Sequence, residues 1–388
     1  MSIRKTITIL GSTGSIGTQA LEVIAAHHPG VDIAYLTTRS NVELLARQVQ
    51  RFSVRGVAIA DEQAAQTFRE ISDFDGEILV GDDGVCEAAA YNANTMVLSA
   101  LVGFSGVLPT LAAIERGTTI ALANKETLVS AGCVVMRRAR EQGVNIIAVD
   151  SEHSAILQCI VGEEVQSVEK LVITASGGPF RTLSAAKLQE VTVEQALKHP
   201  NWEMGSKITI DSSTLMNKGF EVIEAHWLFN LPAECIDVVV HPQSLVHSFV
   251  QFADGSIKAQ IGLPDMNLPI HYAMTYPQRS ATSFRRLDIA SIAAWTFEKP
   301  DVERFPCLRI AYEAMTSAGI VPAVMNAANE IAVSAFLRRD LRYVDIPRVI
   351  ENTIGAMKGP ADPSLSDIVA ADSEARKIAA SLIHSKSF

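Results

Sequence analysis

Two acids one residue apart, Asp150 and Glu152, close the apolar run 146–149. In an extended backbone, residues i and i+2 point to the same side, so both carboxylates can aim at one point. Converging carboxylates either share a proton or hold a hard cation; the alternative is a solvated turn after a strand. Other chemistry-bearing residues also follow apolar runs. Asn124-Lys125-Glu126 follows 120–123. Ala175-Ser176-Gly177-Gly178-Pro179-Phe180 follows 171–174 and is a loop of small residues whose N–H groups suit phosphate or carboxylate, or else a plain turn. Asp211 to Gly219 is rich in donors, carries one cation, Lys218, and follows 207–210, read as a strand. Glu221 and Glu224 stand three apart on one face of the helix expected over 220–229, where an exposed pair is the alternative.

The elements that must position these groups begin at residue 6. The run 6–10 is rich in β-branched residues and reads as a buried strand. It enters Gly11-Ser12-Thr13-Gly14-Ser15-Ile16-Gly17, and a helical pattern follows over 19–26. Strand, glycine loop and helix together let a pyrophosphate approach the backbone and meet the free N–H groups of the helix start. The spacing is GxxGxxG, one residue longer in the first turn than the usual dinucleotide fingerprint. A βα turn without a nucleotide is the alternative. The next strand, 33–36, ends in Thr37-Thr38-Arg39-Ser40-Asn41, with no acid there for ribose hydroxyls. Arg39 among small polar side chains suits a 2′-phosphate, which points to NADP(H), although a surface Arg in a turn has the same pattern. Further apolar runs at 56–60, 77–80, 96–99, 120–123 and 146–149 alternate with helical patterns, including 108–116. That alternation predicts a parallel, doubly wound sheet with ligands at the carboxyl ends of its strands. Lys125 and both acids then face the cofactor crevice, which favours the cation reading of Asp150 and Glu152.

The chain has 388 residues, enough for two or three domains, and at 48% hydrophobic it can bury a large core. Its 33 Lys+Arg against 43 Asp+Glu leave a net charge of −10, which disfavours nucleic acid or an anionic membrane as partner. The five cysteines form no CxxC pair, so no zinc ribbon or disulfide framework is expected and a reduced, cytoplasmic setting fits. No apolar run has transmembrane length, and Met1 to Lys5 is expected to lead into the first strand without a signal segment.

Lys198-His199-Pro200-Asn201-Trp202-Glu203-Met204-Gly205 carries Pro, Gly and a Trp outside any regular element, the pattern of a lid whose indole has little to pack against before a ligand arrives. A Trp that staples the loop to its own domain is the alternative. His241 and His247 are read as structural rather than ligating, beside a hairpin that turns at Asp254-Gly255. After an irregular stretch over 276–301, helical periodicity returns at 308–318, 322–337, 346–357 and 373–383, predicting a small bundle. Asn326, Asn329 and Glu330 within its second helix are read as docking hydrogen bonds without chemistry.

The motifs GSTGSIG, ALANKE, VDSEHSAI, ASGGPF, HPNWEMG, MNKGFE and HPQSLVHS, in this order over essentially the whole chain, resemble the 1-deoxy-D-xylulose 5-phosphate reductoisomerase family. The resemblance implies an NADP-binding Rossmann domain over 1–150, a catalytic and metal-binding α/β domain over 151–276, a linker over 277–301, a helical bundle over 302–388, and a homodimer. It implies Mg²⁺ or Mn²⁺ on Asp150, Glu152 and Glu221. Lys125, Ser151, Glu152, His199 and Trp202 would meet the sugar, with Lys125 and His199 among the catalytic groups; Ser176, Ser212, Asn217 and Lys218 would hold its phosphate. Thr13, Gly14, Ser15, Ile16, Arg39, Ser40, Asn41, Asn124, Glu126 and Gly205 would line the NADPH site. This chain has Arg39-Ser40-Asn41 where the family often has Gly-Lys-Asn, which displaces the cation by one position. The implied reaction rearranges a ketose phosphate by retro-aldol cleavage and re-addition, then reduces the resulting aldehyde. A semialdehyde-type dehydrogenase would share the nucleotide domain but needs an activated cysteine, and neither Cys133 nor Cys159 has a motif suggesting one. A non-catalytic NADP sensor would not need three converging carboxylates. Divalent-metal dependence separates both from the favoured reading.

Overall fold

The computed structural model describes residues 5–202 and 204–388; Met1 to Arg4, and Glu203 of the expected lid loop, lie outside them. The chain forms two compact units. Met1–Thr127, Val135–Ser154 and Asp265–Phe284 make the first, and Leu128–Val134, Ala155–Pro264 and Arg285–Phe388 the second.

The first unit is built on seven strands: β1 (Thr6–Leu10), β2 (Asp32–Thr38), β3 (Val54–Ile59), β4 (Glu77–Val80), β5 (Met96–Ser99), β6 (Thr119–Leu122) and β7 (Ile146–Ala148). They form one sheet in the order β4-β3-β2-β1-β5-β6-β7, parallel at every pairing. Crossover helices bury both faces of such a sheet, which is why its strands read as continuous apolar runs. The strand order reverses between β1 and β5, so the loop after β1 lies at the switch point where ligands of doubly wound sheets bind. Helix Asn267–Thr275 also belongs to this unit, and its buried His271 Nδ1 lies 3.0 Å from His28 Nε2.

The second unit holds a mixed sheet of β8 (Val168–Ala175), β9 (Ile236–Val240), β10 (Val246–Phe252) and β11 (Ile257–Ile261), ordered β11-β10-β8-β9. β8 and β9 run parallel, and β10 is antiparallel to both β8 and β11. Its apolar core continues from this sheet through helix Met216–Phe229 into helices Cys307–Ser317, Val321–Leu337 and Ile346–Gly355. Helix Leu365–Ser385 packs on the outside of that group.

Two local expectations are corrected. Residues 207–210 are not a strand but part of helix Ser206–Ser213. Ile208, Thr209 and Ile210 favour strand locally, on a scale spanning only about 1 kcal/mol. Burying the Ile210 side chain, wholly enclosed in the helix, is worth roughly 1.5–3 kcal/mol, so tertiary packing wins. Likewise the backbone is not extended from Asp150 to Glu152: a helix starts at Ser151 and runs to Ile160, with Glu152 in its first turn.

Candidate active site

The glycine loop has the geometry of a phosphate cradle. Gly11 sits at φ +79°, and a Cβ there would lie 2.6 Å from Ala100 O. A Cβ on Gly17 would lie 2.3 Å from Gly11 O, so loop and helix touch backbone to backbone. Helix Ser15–His27 begins after Gly14 with no side-chain cap and no acid in its first turn. The N–H groups of Ser15, Ile16 and Gly17 are therefore available to an anion, reinforced by the helix dipole. Thr37 fixes the loop by accepting Gly11 N at its Oγ1 and Ser12 N at its carbonyl, both at 2.8 Å. Thr13 Oγ1 lies 2.7 Å from Thr38 Oγ1, which joins the loop to the end of β2.

Arg39 and Ser40 follow β2 on the surface, and no ion pair engages the Arg39 guanidinium among the described residues. Asn41 caps helix Val42–Arg51, its Oδ1 accepting Leu44 N at 3.2 Å, and its amide nitrogen is the donor it offers to a ligand.

At the end of β6, Asn124 is buried and its amide is spent internally: Nδ2 donates to Gly103 O at 3.2 Å and to Glu126 Oε2 at 2.8 Å. Its Oδ1 accepts from Thr127. The side chain is a strut for the turn that presents Lys125. Lys125 is buried, with Nζ 2.5 Å from Asp150 Oδ2 at the end of β7. Ser151 Oγ donates to Glu152 Oε2 at 2.6 Å. One lysine, two acids and a serine thus meet at the carboxyl edge of β6 and β7.

In the second unit, Ser176 follows β8, and its Oγ lies 2.9 Å from His199 Nε2. His199 Nδ1 accepts the backbone N–H groups of Asn201 at 3.2 Å and Trp202 at 3.0 Å. Two donors on Nδ1 place the ring hydrogen on Nε2, which therefore donates to Ser176. Gly178 N donates to the same hydroxyl at 3.2 Å. With both lone pairs of Ser176 occupied, its own hydrogen is left for an outside acceptor. Burial lowers the His199 pKa from 6.5 to about 4, so the ring is neutral at physiological pH.

Helix Met216–Phe229 supplies the remaining groups. Its N-cap, Leu215, has φ +62° and no side-chain cap of its own; the hydroxyl of the preceding Thr214 accepts the first helical N–H, that of Met216, at 3.3 Å. Such a left-handed residue without Gly costs roughly 1–2 kcal/mol. Asn217 Nδ2 donates to Glu221 Oε1 at 2.6 Å, and Lys218 Nζ pairs with Glu221 Oε2. Glu221 and Glu224 are both buried, so the exposed-pair alternative fails. Ser212, half-buried near the end of helix Ser206–Ser213, lies where a Cβ on Gly178 would stand 2.9 Å from its carbonyl oxygen. Gly205 is the exposed N-cap of that helix.

Trp202 has neighbours of its own in the loop's surroundings. It is half-buried, its ring 6.5 Å from that of His247, and its neighbour Asn201 donates through Nδ2 to Pro242 O at 2.7 Å and Ser244 Oγ at 2.9 Å. The loop is thus tied to the segment after β9. His241 is buried, with Nδ1 3.0 Å from Thr296 O and its ring stacked on Phe297, the structural role expected of it. Asn329 Nδ2 donates to Asp211 Oδ1 at 2.8 Å, a docking bond between helices Val321–Leu337 and Ser206–Ser213. Asn326 instead bonds Glu330 within its own helix. The sequence reading missed Thr37, Thr38 and Tyr343 as supports of these loops. For the threonines, adjacency to Arg39 was the available signal; for Tyr343 there was none.

A glycine loop at the switch point of a parallel sheet, beside an edge of lysine and carboxylates, defines the class of dinucleotide-dependent oxidoreductases. Comparison narrows this. Residues 7–132 match the family described as 1-deoxy-D-xylulose 5-phosphate reductoisomerase, residues 146–229 its C-terminal domain, and residues 261–378 the DXP reductoisomerase C-terminal domain. Proteins of that name from Bacteroides fragilis and Bacteroides thetaiotaomicron are 51% and 52% identical over 381 and 382 residues, covering 98% of each chain. The solved Zymomonas mobilis enzyme, in complex with NADPH, is 44% identical with a TM-score of 0.90, covering 98% of this chain and 99% of its own. Another reductoisomerase structure, in complex with NADPH, fosmidomycin and magnesium, is 38% identical with a TM-score of 0.92 over 98% of both chains. This chain belongs to the 1-deoxy-D-xylulose 5-phosphate reductoisomerase family.

Proposed function

We infer that this protein is an NADPH- and divalent-metal-dependent oxidoreductase that converts 1-deoxy-D-xylulose 5-phosphate to 2-C-methyl-D-erythritol 4-phosphate, a step of isoprenoid precursor synthesis by the non-mevalonate route. Family membership carries the inference, through relatives about half identical over 98% of the chain. The cofactor fits the residues present: an uncapped helix start after a glycine loop suits the pyrophosphate, and the unpaired Arg39 suits a 2′-phosphate. Thr13, Gly14, Ser15, Ile16, Arg39, Ser40, Asn41, Asn124, Glu126 and Gly205 are proposed to line that site. Asp150, Glu152 and Glu221 are proposed to hold Mg²⁺ or Mn²⁺, and an all-carboxylate set fits a hard cation.

When bound, the cation supplies Lewis acidity to the ketone and its neighbouring hydroxyl, and NADPH supplies hydride. The chain's own groups do the rest. Ser176 donates its free hydroxyl hydrogen to a phosphate oxygen, and Ser212, Asn217 and Lys218 complete that anion site. Lys125, Ser151 and the neutral His199 orient the sugar hydroxyls. Trp202 and its loop exclude water while the carbon skeleton is cleaved and rejoined and the aldehyde reduced. The division into a cofactor domain over 1–150, a catalytic domain over 151–276, a linker over 277–301 and a helical bundle over 302–388 belongs to the same proposal. So do a cytoplasmic setting, supported by five unbridged cysteines, and a homodimer, supported by the exposed Ile257 and Ile261 on the edge strand β11. No helix among the described residues is long and apolar enough to cross a membrane. The test is to mix the protein with NADPH, Mg²⁺ and the deoxyketose phosphate, follow NADPH absorbance, and identify the product. Oxidation of NADPH with formation of the branched polyol phosphate supports the assignment; an unchanged ketose removes it.

A further inference from the structure

Two segments of the second unit carry the proposed phosphate donors, the loop with Ser176 and the end of helix Ser206–Ser213 with Ser212. Neither is held only by its own neighbours. Tyr343, in the short turn Tyr343–Asp345 after helix Val321–Leu337, touches both. Its hydroxyl donates to Ser213 O at 2.6 Å, a carbonyl one residue past Ser212. Its ring meets Phe180 of the Ser176 loop edge-on, with centroids 5.2 Å apart. Phe336 meets the same ring edge-on, with centroids 5.9 Å apart. Tyr343, Phe180 and Phe336 are all buried, so the hydroxyl has no water to exchange for its partner. The two segments are also pressed directly together: Gly178, at φ +67°, leaves no room for a Cβ between its Cα and the Ser212 carbonyl. On the other side of Ser212, Asp211 receives Asn329 Nδ2.

We propose that Tyr343 is a positioning residue for phosphate binding, setting the spacing between Ser176 and Ser212 from outside the site. It holds one segment by a hydrogen bond and the other by ring packing, so the two donors stand at a fixed separation before the ligand arrives. The proposal rests on the assignment of Ser176 and Ser212 to a phosphate. Preorganisation of this kind affects binding of the anion and leaves hydride transfer and the NADPH site alone.

The substitution Tyr343→Phe keeps the ring and deletes the hydroxyl. Inorganic phosphate is titrated calorimetrically into the unsubstituted protein and the variant, and KM and kcat are measured for the ketose phosphate and for NADPH. The expected result is phosphate affinity and ketose-phosphate KM both worse by about 3- to 10-fold, the range of one lost hydrogen bond, with kcat and the NADPH KM unchanged. Equal phosphate affinity in the two proteins overturns the proposal. So does a parallel fall in kcat, NADPH affinity and thermal midpoint, which marks a general structural role. If Tyr343→Phe does not fold, Phe180→Leu removes the ring contact between Tyr343 and the Ser176 loop and carries the same expectation. If the unsubstituted protein binds phosphate but turns over no ketose, the enzymatic reading falls and the phosphate affinities still decide the role of Tyr343. If it binds no phosphate, both fall.

Discussion

Substituting Gly17→Ala adds one methyl group where the cofactor loop and its helix are in contact. The new Cβ would stand 2.3 Å from Gly11 O, 2.5 Å from Ser12 Cα and 2.7 Å from Ser12 C, against an ordinary contact distance of 3.4 Å and above. Either the loop or the first turn of the helix must then retreat by about 1 Å, the scale of displacement expected from such overpacking. The loop cannot follow cheaply, because Gly11 N and Ser12 N are both bonded to Thr37. Overpacking of this kind costs roughly 1–3 kcal/mol of stability. A misplacement of about 1 Å in the cradle costs up to about 100-fold in its function. NADPH affinity, read by fluorescence titration, should fall by one to two orders of magnitude, with phosphate affinity in the other unit unchanged. Gly30→Ala is the control, since a Cβ there meets nothing within 4 Å. If Gly17→Ala binds NADPH as tightly as the unsubstituted protein while remaining folded, the glycine loop is not the cradle.

Three further outcomes follow from particular side chains. Arg39→Ala should raise the KM for NADPH by about 10- to 150-fold, the value of a charge-assisted hydrogen bond, and affect NADH far less; equal losses would remove the 2′-phosphate role. Lys218→Ala should weaken binding of the ketose phosphate and narrow its advantage over the dephosphorylated sugar, and an unchanged advantage means that Lys218 does not read phosphate. Because the folded pKa of His199 lies below its ordinary value, the neutral ring is favoured by folding. Its contribution to loop stability is complete above pH 6.5, declines as pH falls, and is gone below about 4. Trp202 emission, isolated by replacing Trp227 and Trp295 with Phe, should change with a midpoint near 4 and lose that transition in His199→Gln; a midpoint at 6.5 would contradict the burial argument.

The parallel sheet was legible because its strands are buried on both faces and stand out as short apolar runs between amphipathic helices. Its glycine loop was legible because backbone contact between Gly11 and Gly17 demands residues without a Cβ. Helix Ser206–Ser213 was misread for the opposite reason: it is held between the next helix, Met216–Phe229, and helix Val321–Leu337 more than a hundred residues on, and no local pattern records that. The tie on the Trp202 loop was hidden for the same reason, since it runs from Asn201 to Pro242, 41 residues on. Tyr343 lies 130 residues from the carbonyl it holds, in a turn whose sequence looks like any other helix connection.

Asp150, Glu152 and Glu221 are proposed to hold together one divalent cation on which turnover depends. The most direct measurement is the number of Mn²⁺ ions bound per chain, by paramagnetic resonance of free Mn²⁺, in the unsubstituted protein and in Asp150→Asn, Glu152→Gln and Glu221→Gln. One site is expected in the unsubstituted protein, lost or greatly weakened in each folded variant in step with turnover. A site that survives any of the three substitutions at full affinity, or full turnover in a strong chelator, would contradict it.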